Sequence, residues 1–186
     1  MFVPPTHHLS PQKEKIHYDQ HENNPEDLGY RTFLNQLAQP LKERLKPNSS
    51  GLDFGSGPGP TLSLMLQEAG HNMSIYDHFF AYNPVVMNQT YDFITATEVV
   101  EHLHHPGLEL DRLWLRVNAT GLLAIMTQLI PPDQPFLNWY YLRDPTHVCF
   151  FSSETWDWLS LRWGAEVVYR DKNVVLFRKP QDSPPN

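Results

Sequence analysis

Hydrophobic and polar positions repeat with two different periods along this chain, and the two periods alternate from one segment to the next. Apolar residues three and four apart between Leu28 and Leu45 predict a helix, which Pro40 would kink or divide in two. The same spacing predicts two further helices, over residues 61–69 and 108–117. Short apolar runs predict the inner strands, at residues 51–54, 73–76, 91–97 and 122–127.

The C-terminal part of the chain adds a helix and a hairpin to this alternation. Residues 152–154 are typical of a helix start, and the helix that follows presents Trp156, Leu159 and Trp163 on one face. A turn is predicted at residues 118–121, and the last two strands form a hairpin, at residues 166–169 and 174–177. Strands alternating with helices predict an α/β fold, whose mainly parallel sheet is covered on both faces and ends in the antiparallel hairpin.

The length and composition indicate one domain. Of the 186 residues, 40% are hydrophobic, which is enough for one sizeable core. Residues 1–26 are polar and are expected to form an N-terminal arm or cap, followed by the domain over 27–180 and a flexible tail over 181–186. With no signal-peptide pattern and no apolar run of about 18 residues, we expect a soluble cytoplasmic protein without a membrane span. The sequence leaves the oligomeric state open.

Charge and cysteine content narrow the classes of partner. The formal net charge of −7 disfavours nucleic acid, because affinity for nucleic acid comes largely from cationic contacts with phosphates. The single cysteine, Cys149, lies in an apolar string, which favours a buried small hydrophobe over a reactive thiol. A disulfide within one chain is excluded.

The most specific stretch is residues 51–59, which read Gly-Leu-Asp-Phe-Gly-Ser-Gly-Pro-Gly. An apolar strand ends at Asp53, glycine recurs at alternate positions from Gly55, and a helix follows. This order of strand, glycine turn and helix lets a nucleoside cofactor lie against the backbone. It is not a dinucleotide-binding fingerprint, because Pro60 occupies the position of the third glycine.

This string resembles the first motif of the class I S-adenosylmethionine-dependent methyltransferases, and the resemblance extends over residues 28–178. It implies that the glycine loop lies under the methionine part of the cofactor, through Gly55, Ser56, Gly57 and Gly59. It also implies that Asp53 lies near the cofactor's amino group and that Asp77, after the second strand, accepts hydrogen bonds from both ribose hydroxyls. The alternative for Asp77 is a turn or helix cap.

The family's usual fold is a Rossmann-like three-layer sandwich with a helix and a strand between Asp77 and the next inner strand. Only residues 77–91 are available here, so we expect the sheet to lack one edge strand. The adenine-contacting carboxylate of the family therefore has no clear counterpart. His78, Phe79 and Phe80 would wall the adenine instead, or the two phenylalanines simply pack in the core.

A second specific string, Glu98-Val-Val-Glu101-His102, resembles a segment of ubiquinone-pathway O-methyltransferases and of small-RNA 3′-terminal 2′-O-methyltransferases. That resemblance implies a divalent metal such as Mg²⁺, Mn²⁺ or Zn²⁺, with Glu98, Glu101 and His102 as ligands and His147 completing the site. Alternatively no metal binds. His102 is then a base or a structural residue, and either His102 or His147 removes the acceptor's proton.

An aromatic connection follows the last inner strand, and in this fold such a connection forms part of the acceptor pocket. Trp139, Tyr140 and Tyr141 are therefore expected to bind the substrate, with a secondary hydrophobic cluster under a long loop as the alternative. Residues 18–24, before Tyr30, resemble the capping segment of related bacterial methyltransferases. That resemblance implies that Tyr18, His21 and Tyr30 close over the cofactor; the alternative is an exposed polar arm.

The resemblance implies a methyltransferase, and we expect it to act on an oxygen or nitrogen atom of a small-molecule acceptor. Two other functions stay open: a non-catalytic binding module of the same fold, which the short sheet would suit, and a metal-assisted RNA 2′-O-methyltransferase, which the acidic charge opposes. A nicotinamide-dependent oxidoreductase is the least favoured, because the glycine spacing is wrong for it.

Overall fold

The computed structural model describes residues 1–20 and 23–181, and their strands form one six-stranded sheet. The strands are β1 (Ser50–Phe54), β2 (Asn72–Tyr76), β3 (Tyr91–Thr97), β4 (Val117–Met126), β5 (Glu166–Asp171) and β6 (Val174–Arg178). Their order across the sheet is β2-β1-β3-β4-β6-β5. The first four run parallel, and β6 is antiparallel to both β4 and β5. The predicted α/β fold with a C-terminal antiparallel hairpin is confirmed.

The helices are α1 (Pro11–Tyr18), α2 (Leu28–Lys42), α3 (Thr61–Glu68), α4 (Pro106–Arg116) and α5 (Ser153–Trp163). Helices α2 and α3 cover one face of the sheet and α4 and α5 cover the other, which completes the three layers. There is one hydrophobic core on each face of the sheet, and successive residues of β3 pack into different cores because their side chains point to opposite faces. Phe93 packs in the cluster formed with α2 and α3, whereas Ile94 packs in the cluster formed with α4 and α5.

Two local expectations, the division of the first helix at Pro40 and the turn at 118–121, were wrong. Helix α2 runs through Pro40 and ends at Lys42. Pro40 cannot donate an N–H to the Gln36 carbonyl, but it is buried together with Leu37 and Leu41, and this packing offsets the lost hydrogen bond. The expected turn at 118–121 belongs to β4, because the chain after β6 continues the ladder there: Thr120 N–H donates to the Lys179 carbonyl at 3.0 Å, and Lys179 N–H donates to the Gly121 carbonyl at 2.9 Å.

The start of α5 and its buried face are as predicted. Ser152 is the N-cap of a capping box with Thr155, and Trp156, Leu159 and Trp163 are all buried. These side chains fix α5 against β6 and the hairpin.

The described residues also contain no strand between β2 and β3, only a short 3-10 turn at Val86–Asn88. Strand β2 is therefore an edge of the sheet, and one expected strand is missing, as the short 77–91 segment predicted. The end of the sheet beside Asp77 is consequently walled by irregular chain.

Residues 1–20 pack on the rest of the chain. The sequence predicted an N-terminal arm or cap but not its contacts. Phe2 forms a bridge to Cys149, and Val3 N–H donates to the Val148 carbonyl at 2.8 Å. Cys149 is buried, and burial raises the pKa of its thiol to about 12, which agrees with its interpretation as a small core residue. Most of the expected tail, residues 182–186, lies outside the described residues.

Candidate active site

A cleft of about 810 Å³ opens at the carboxyl ends of β1, β2 and β3, where ligands bind in parallel sheets. Nearly all of the residues selected from the sequence line it: Asp53, Gly55, Ser56, Gly57, Gly59, Asp77, His78, Glu98, Glu101, His102, Tyr140, Tyr141 and His147. Trp139 is the exception, because it is buried against Tyr141 and Phe150 in a separate cluster under the loop. The topology thus brings two separate sequence motifs to one cavity.

The glycine loop is held by its backbone. Gly55 and Gly57 have φ angles of +76° and +65°, in the left-handed region that disfavours a Cβ atom. The N–H groups of Gly55 and Ser56 donate to the Tyr76 carbonyl, at 2.8 and 3.3 Å. A Cβ on Gly55 would also overlap the side chain of Val99. The loop therefore presents bare backbone to the cleft.

Asp53 is a buried carboxylate under this loop. Its oxygens accept hydrogen bonds from the hydroxyls of Thr95 at 2.8 Å and Ser63 at 3.1 Å. Burial raises the pKa of Asp53 to about 6, against the opposing effect of those two hydrogen bonds. A cationic group bound nearby would stabilise its ionised form.

Asp77 fixes the loop after β2 and also faces the cleft. One carboxylate oxygen accepts from the N–H groups of Phe79 and Phe80, at 2.8 and 3.0 Å, and the other accepts from Gly57 N–H at 2.9 Å. The turn-cap role is thus present in the structure. Each carboxylate oxygen can accept more than one bond, so the cap does not prevent a ribose contact.

Two buried hydroxyls of the cleft have no hydrogen-bond partner. In the described part of the chain, the buried side-chain atoms without a partner are Ser56 Oγ, Thr97 Oγ1 and His71 Nδ1. The first two belong to residues that line the cleft. Open backbone with unpaired hydroxyls fits a polar ligand such as S-adenosylmethionine.

At the other end of the cleft, two glutamates lie around one tyrosine hydroxyl. The Tyr141 hydroxyl donates to Glu101 and lies 3.4 Å from Glu98 Oε2, and the Thr127 hydroxyl donates to Glu101 at 2.8 Å. Burial raises the pKa of both glutamates, and the charge of Glu101 adds to the effect on Glu98. The pair therefore retains a proton at a pH where an exposed glutamate would be ionised.

Glu98 has a strained backbone, with φ at +49°. Its N–H donates to the Met126 carbonyl at 2.8 Å, which ends the β3–β4 ladder and turns the chain. The following residues form a 3-10 turn at Val100–His102 and not an α-helical turn. The orientations of the Glu101 and His102 side chains therefore differ from those in an α-helix.

Two histidines complete this end. His102 Nδ1 lies 3.1 Å from the Thr146 carbonyl, and His147 Nδ1 lies 2.7 Å from the Tyr141 carbonyl. A carbonyl only accepts, so each Nδ1 carries the proton and Nε2 is the basic atom of each ring. One ligand atom each from Glu101, His102 and His147 lies within 4.8 Å of the others. Two imidazoles, each oriented by a hydrogen bond to a backbone carbonyl, together with a carboxylate, are suitable ligands for a divalent metal ion.

The N-terminal helix closes this end of the cleft. Glu14 accepts a hydrogen bond from His104 at 2.8 Å, and His17 lies 3.3 Å from Asp144. The Tyr18 ring packs edge-on against His102, with 5.4 Å between ring centroids. Tyr18 and Tyr30 both line the cleft, as expected from the sequence, whereas His21 lies outside the described residues.

Sequence reasoning missed four polar residues of the site: Glu14, Thr97, Thr127 and Asp144. For Asp144 a signal existed, since Asp-Pro-Thr-His is typical of a side-chain-capped turn. Its carboxylate accepts from both the N–H and the hydroxyl of Thr146, and these bonds, opposing the effect of burial, hold the pKa of Asp144 at about 2. Nothing in the sequence indicated Glu14, because the polar N-terminal segment has no periodic pattern of apolar residues from which buried positions could be predicted.

Comparison with known proteins identifies the family of the chain. Residues 22–170 match the family described as methyltransferase domain. No curated protein matches the chain's sequence.

None of the helices in the described ranges is both long and apolar enough to cross a bilayer.

Solved structures share the fold at low identity. An O-methyltransferase family protein from Burkholderia thailandensis has a TM-score of 0.61 and 12% identity, over 83% of this chain and 57% of that one. TehB from Haemophilus influenzae has a TM-score of 0.56 and 17% identity, over 76% and 61%. The PH0226 protein from Pyrococcus horikoshii has a TM-score of 0.56 and 12% identity, over 89% and 98%. The chain thus spans less than two thirds of the first two proteins.

Proposed function

The chain belongs to the class I S-adenosylmethionine-dependent methyltransferases, and on this premise we propose that it methylates an oxygen or nitrogen atom of a small-molecule acceptor. The observation that carries the proposal is one cleft with two distinct ends: a bare glycine loop beside Asp77, and a buried cluster of glutamates and histidines. The first end suits a nucleoside and the second suits proton transfer. When bound, S-adenosylmethionine supplies an electrophilic methyl group on its sulfonium sulfur.

We assign the cofactor to the glycine-loop end. Gly55, Ser56, Gly57 and Gly59 would face its methionine part, and the Asp77 carboxylate would accept from the ribose hydroxyls. His78 is exposed at this end of the cleft, with its ring 4.9 Å from that of Phe79, and these two rings would lie against the adenine. Because the donor is already activated, most of the rate enhancement would come from holding donor and acceptor in line.

The histidine pair would act as the base. Burial and the neighbouring His102 lower the pKa of His147, so its ring is neutral near pH 7 and can accept a proton at Nε2. The two rings are adjacent, with centroids 4.8 Å apart. His102 lines the cleft and would contact the acceptor, while His147 would receive or stabilise the proton. Tyr140 and Tyr141 would bind the acceptor's apolar part.

If a divalent ion such as Mg²⁺, Mn²⁺ or Zn²⁺ is held here, Glu101, His102 and His147 would be its ligands, with Glu98 nearby. Such an ion would lower the pKa of an acceptor hydroxyl. The Tyr141 hydroxyl bonds to Glu101 in the structure, and it would have to share that carboxylate with the ion.

The charge of the cleft favours a small acceptor over a nucleic acid. The cleft is lined by a large excess of carboxylates: Glu14, Asp53, Asp77, Glu98, Glu101, Glu109 and Asp144. Among the described residues, Arg112 is the one lysine or arginine in that lining. A polyphosphate backbone would meet repulsion there, since nucleic-acid binding depends on cationic side chains.

Calorimetry with S-adenosylhomocysteine tests the cofactor assignment directly. We expect saturable binding with one site per chain, and loss of that binding in a Gly57→Val variant. No heat of binding in the wild-type protein would instead indicate a non-catalytic module of the same fold. Titration with Mn²⁺ then tests the metal, and a Glu101→Ala variant that binds Mn²⁺ as the wild type does would remove Glu101 from the ligand set.

A further inference from the structure

Two hydroxyls sit at the ends of neighbouring strands without a hydrogen-bond partner. Thr97 is the last residue of β3, and Ser56 is in the glycine loop just after β1. The strands pair Phe54 with Ala96, so Thr97 lies level with Gly55. Ser56 is only 8% exposed, and Thr97 Oγ1 is itself buried.

A buried hydroxyl without a hydrogen-bond partner destabilises the folded state. Because two such hydroxyls lie in one cleft, a single bound ligand would explain both of them. Thr97 lies two residues after Thr95, so both side chains are on the same face of β3. The Thr95 hydroxyl donates to Asp53, whereas nearer the opening the hydroxyls of Thr97 and Ser56 have no hydrogen-bond partner among the described residues.

The surroundings indicate what kind of ligand group would meet them. Tyr30 lines the cleft here, and burial, with the charges of Asp53 and Glu98, raises the pKa of its hydroxyl to about 12. Tyr30 is therefore a neutral donor. A hydroxyl can donate to a carboxylate and accept from an ammonium, and the Asp53 carboxylate below attracts an ammonium.

We propose that Thr97, with Ser56, is a cofactor-binding residue that recognises the amino-acid end of the methyl donor through its side-chain hydroxyl. This rests on the proposed placement of the cofactor at the glycine loop. The sequence-based selection included Ser56 but not Thr97, because a threonine that ends a strand gives no sequence signal of its own. The two hydroxyls would distinguish a nucleoside carrying an ammonium and a carboxylate from one that lacks both.

Two nucleosides that differ only at this end test the assignment. S-adenosylhomocysteine carries the amino-acid group, and 5′-methylthioadenosine has a methyl group in its place. In a Thr97→Val variant, which keeps the shape and removes the hydroxyl, we expect S-adenosylhomocysteine to bind about fivefold to tenfold more weakly. Binding of 5′-methylthioadenosine should stay within about twofold of wild type. A Ser56→Ala variant should give the same selective loss.

Stability of the ligand-free protein is the second measurement. Removal of an unpaired hydroxyl should leave the melting temperature of Thr97→Val unchanged or higher. The matched control is Thr95→Val, because that hydroxyl donates to Asp53 at 2.8 Å and its loss should lower the melting temperature.

Each outcome bears on a different claim. If the wild type binds neither nucleoside, the proposed function fails and this assignment fails with it. If the wild type binds both, and Thr97→Val and Ser56→Ala weaken both equally or neither, the assignment alone is overturned. A lower melting temperature for ligand-free Thr97→Val would likewise overturn it, because the hydroxyl would then have a partner in the protein.

Discussion

The two ends of the cleft are built in opposite ways. At the cofactor end, a short continuous stretch, residues 53–59, is fixed by backbone hydrogen bonds and by the Asp77 carboxylate. At the acid–base end, side chains from four separate segments meet: residues 14–18, 98–102, Thr127 and 140–147. The first end is lined by backbone with few side chains, whereas the second contains buried carboxyl groups.

This difference teaches which changes each end tolerates. Left-handed backbone at Gly55 and Gly57 leaves no room for a larger residue, so substitution there damages binding directly. The buried Glu101 carboxylate instead accepts hydrogen bonds from the hydroxyls of Thr127 and Tyr141. A substitution in one of these segments therefore leaves groups in the other segments without a hydrogen-bond partner. Four experiments sharpen the contrast.

The largest effect is expected for Gly57→Val. The residue has φ at +65°, and a Cβ there would lie 3.0 Å from Asn23 Nδ2, so a branched side chain would both strain the loop and fill the cofactor end. We expect S-adenosylhomocysteine affinity to fall by about 100-fold or more. Calorimetry measures it, with Gly107→Ala as the control, since a Cβ at Gly107 meets nothing within 4 Å. Retained affinity would contradict the cofactor placement.

At the acid–base end, Glu101→Ala should act on stability more than on cofactor binding. The change leaves the buried hydroxyls of Thr127 and Tyr141 without their acceptor. We expect the free energy of unfolding to fall by about 2 kcal/mol, measured in urea. Affinity for S-adenosylhomocysteine should stay within about twofold. A large loss of that affinity would show that the two ends are not separable.

The pH dependence of cofactor binding gives the third test. The pKa of Asp53 is raised to about 6, so the carboxylate is ionised at pH 7 and protonated at pH 5. Because only the ionised form attracts the cofactor's ammonium, affinity for S-adenosylhomocysteine should fall about tenfold from pH 7 to pH 5. In Asp53→Asn, affinity should be weak and flat over the same range. Wild-type affinity that is constant across the range would separate Asp53 from the ammonium.

The smallest effect is expected for His17→Ala on helix α1. Its partner Asp144 is 3.3 Å away and both side chains are partly exposed, so the pair contributes little. We expect the free energy of unfolding to change by less than about 1 kcal/mol. Cofactor affinity should not change. A loss of several kcal/mol in the urea titration would show that α1 is an integral part of the fold.

The sequence predicted the fold, and it located the glycine loop more easily than the cluster of glutamates and histidines. Strand, glycine turn and helix are local patterns, and residues 91–97 form the predicted strand without a shift. The hydrogen-bond donors to the Glu101 side chain lie up to 40 residues away in the chain, and Glu14 lies 90 residues from His104. No period in the sequence signals such pairs.

The errors also have physical causes. Pro40 removes one helical hydrogen bond, but the burial of its turn holds α2 together past it. Residues 118–121 became strand because the chain after β6 supplied hydrogen-bond partners. The 3-10 turn at Val100–His102 follows from the left-handed backbone of Glu98, which no propensity predicts for glutamate.

Helix α1 buries a single residue, Glu14, and its Ile16 is 62% exposed. Its fastening to the domain includes polar pairs such as Glu14 with His104 and His17 with Asp144. Apart from the Tyr18 ring, which packs on Phe79 and His102, detachment of this helix would expose little apolar surface, so the hydrophobic effect contributes little to its attachment. On the proposed function, displacement of α1 would give acceptor and product a route into and out of the cleft while the sheet and its two cores stay intact.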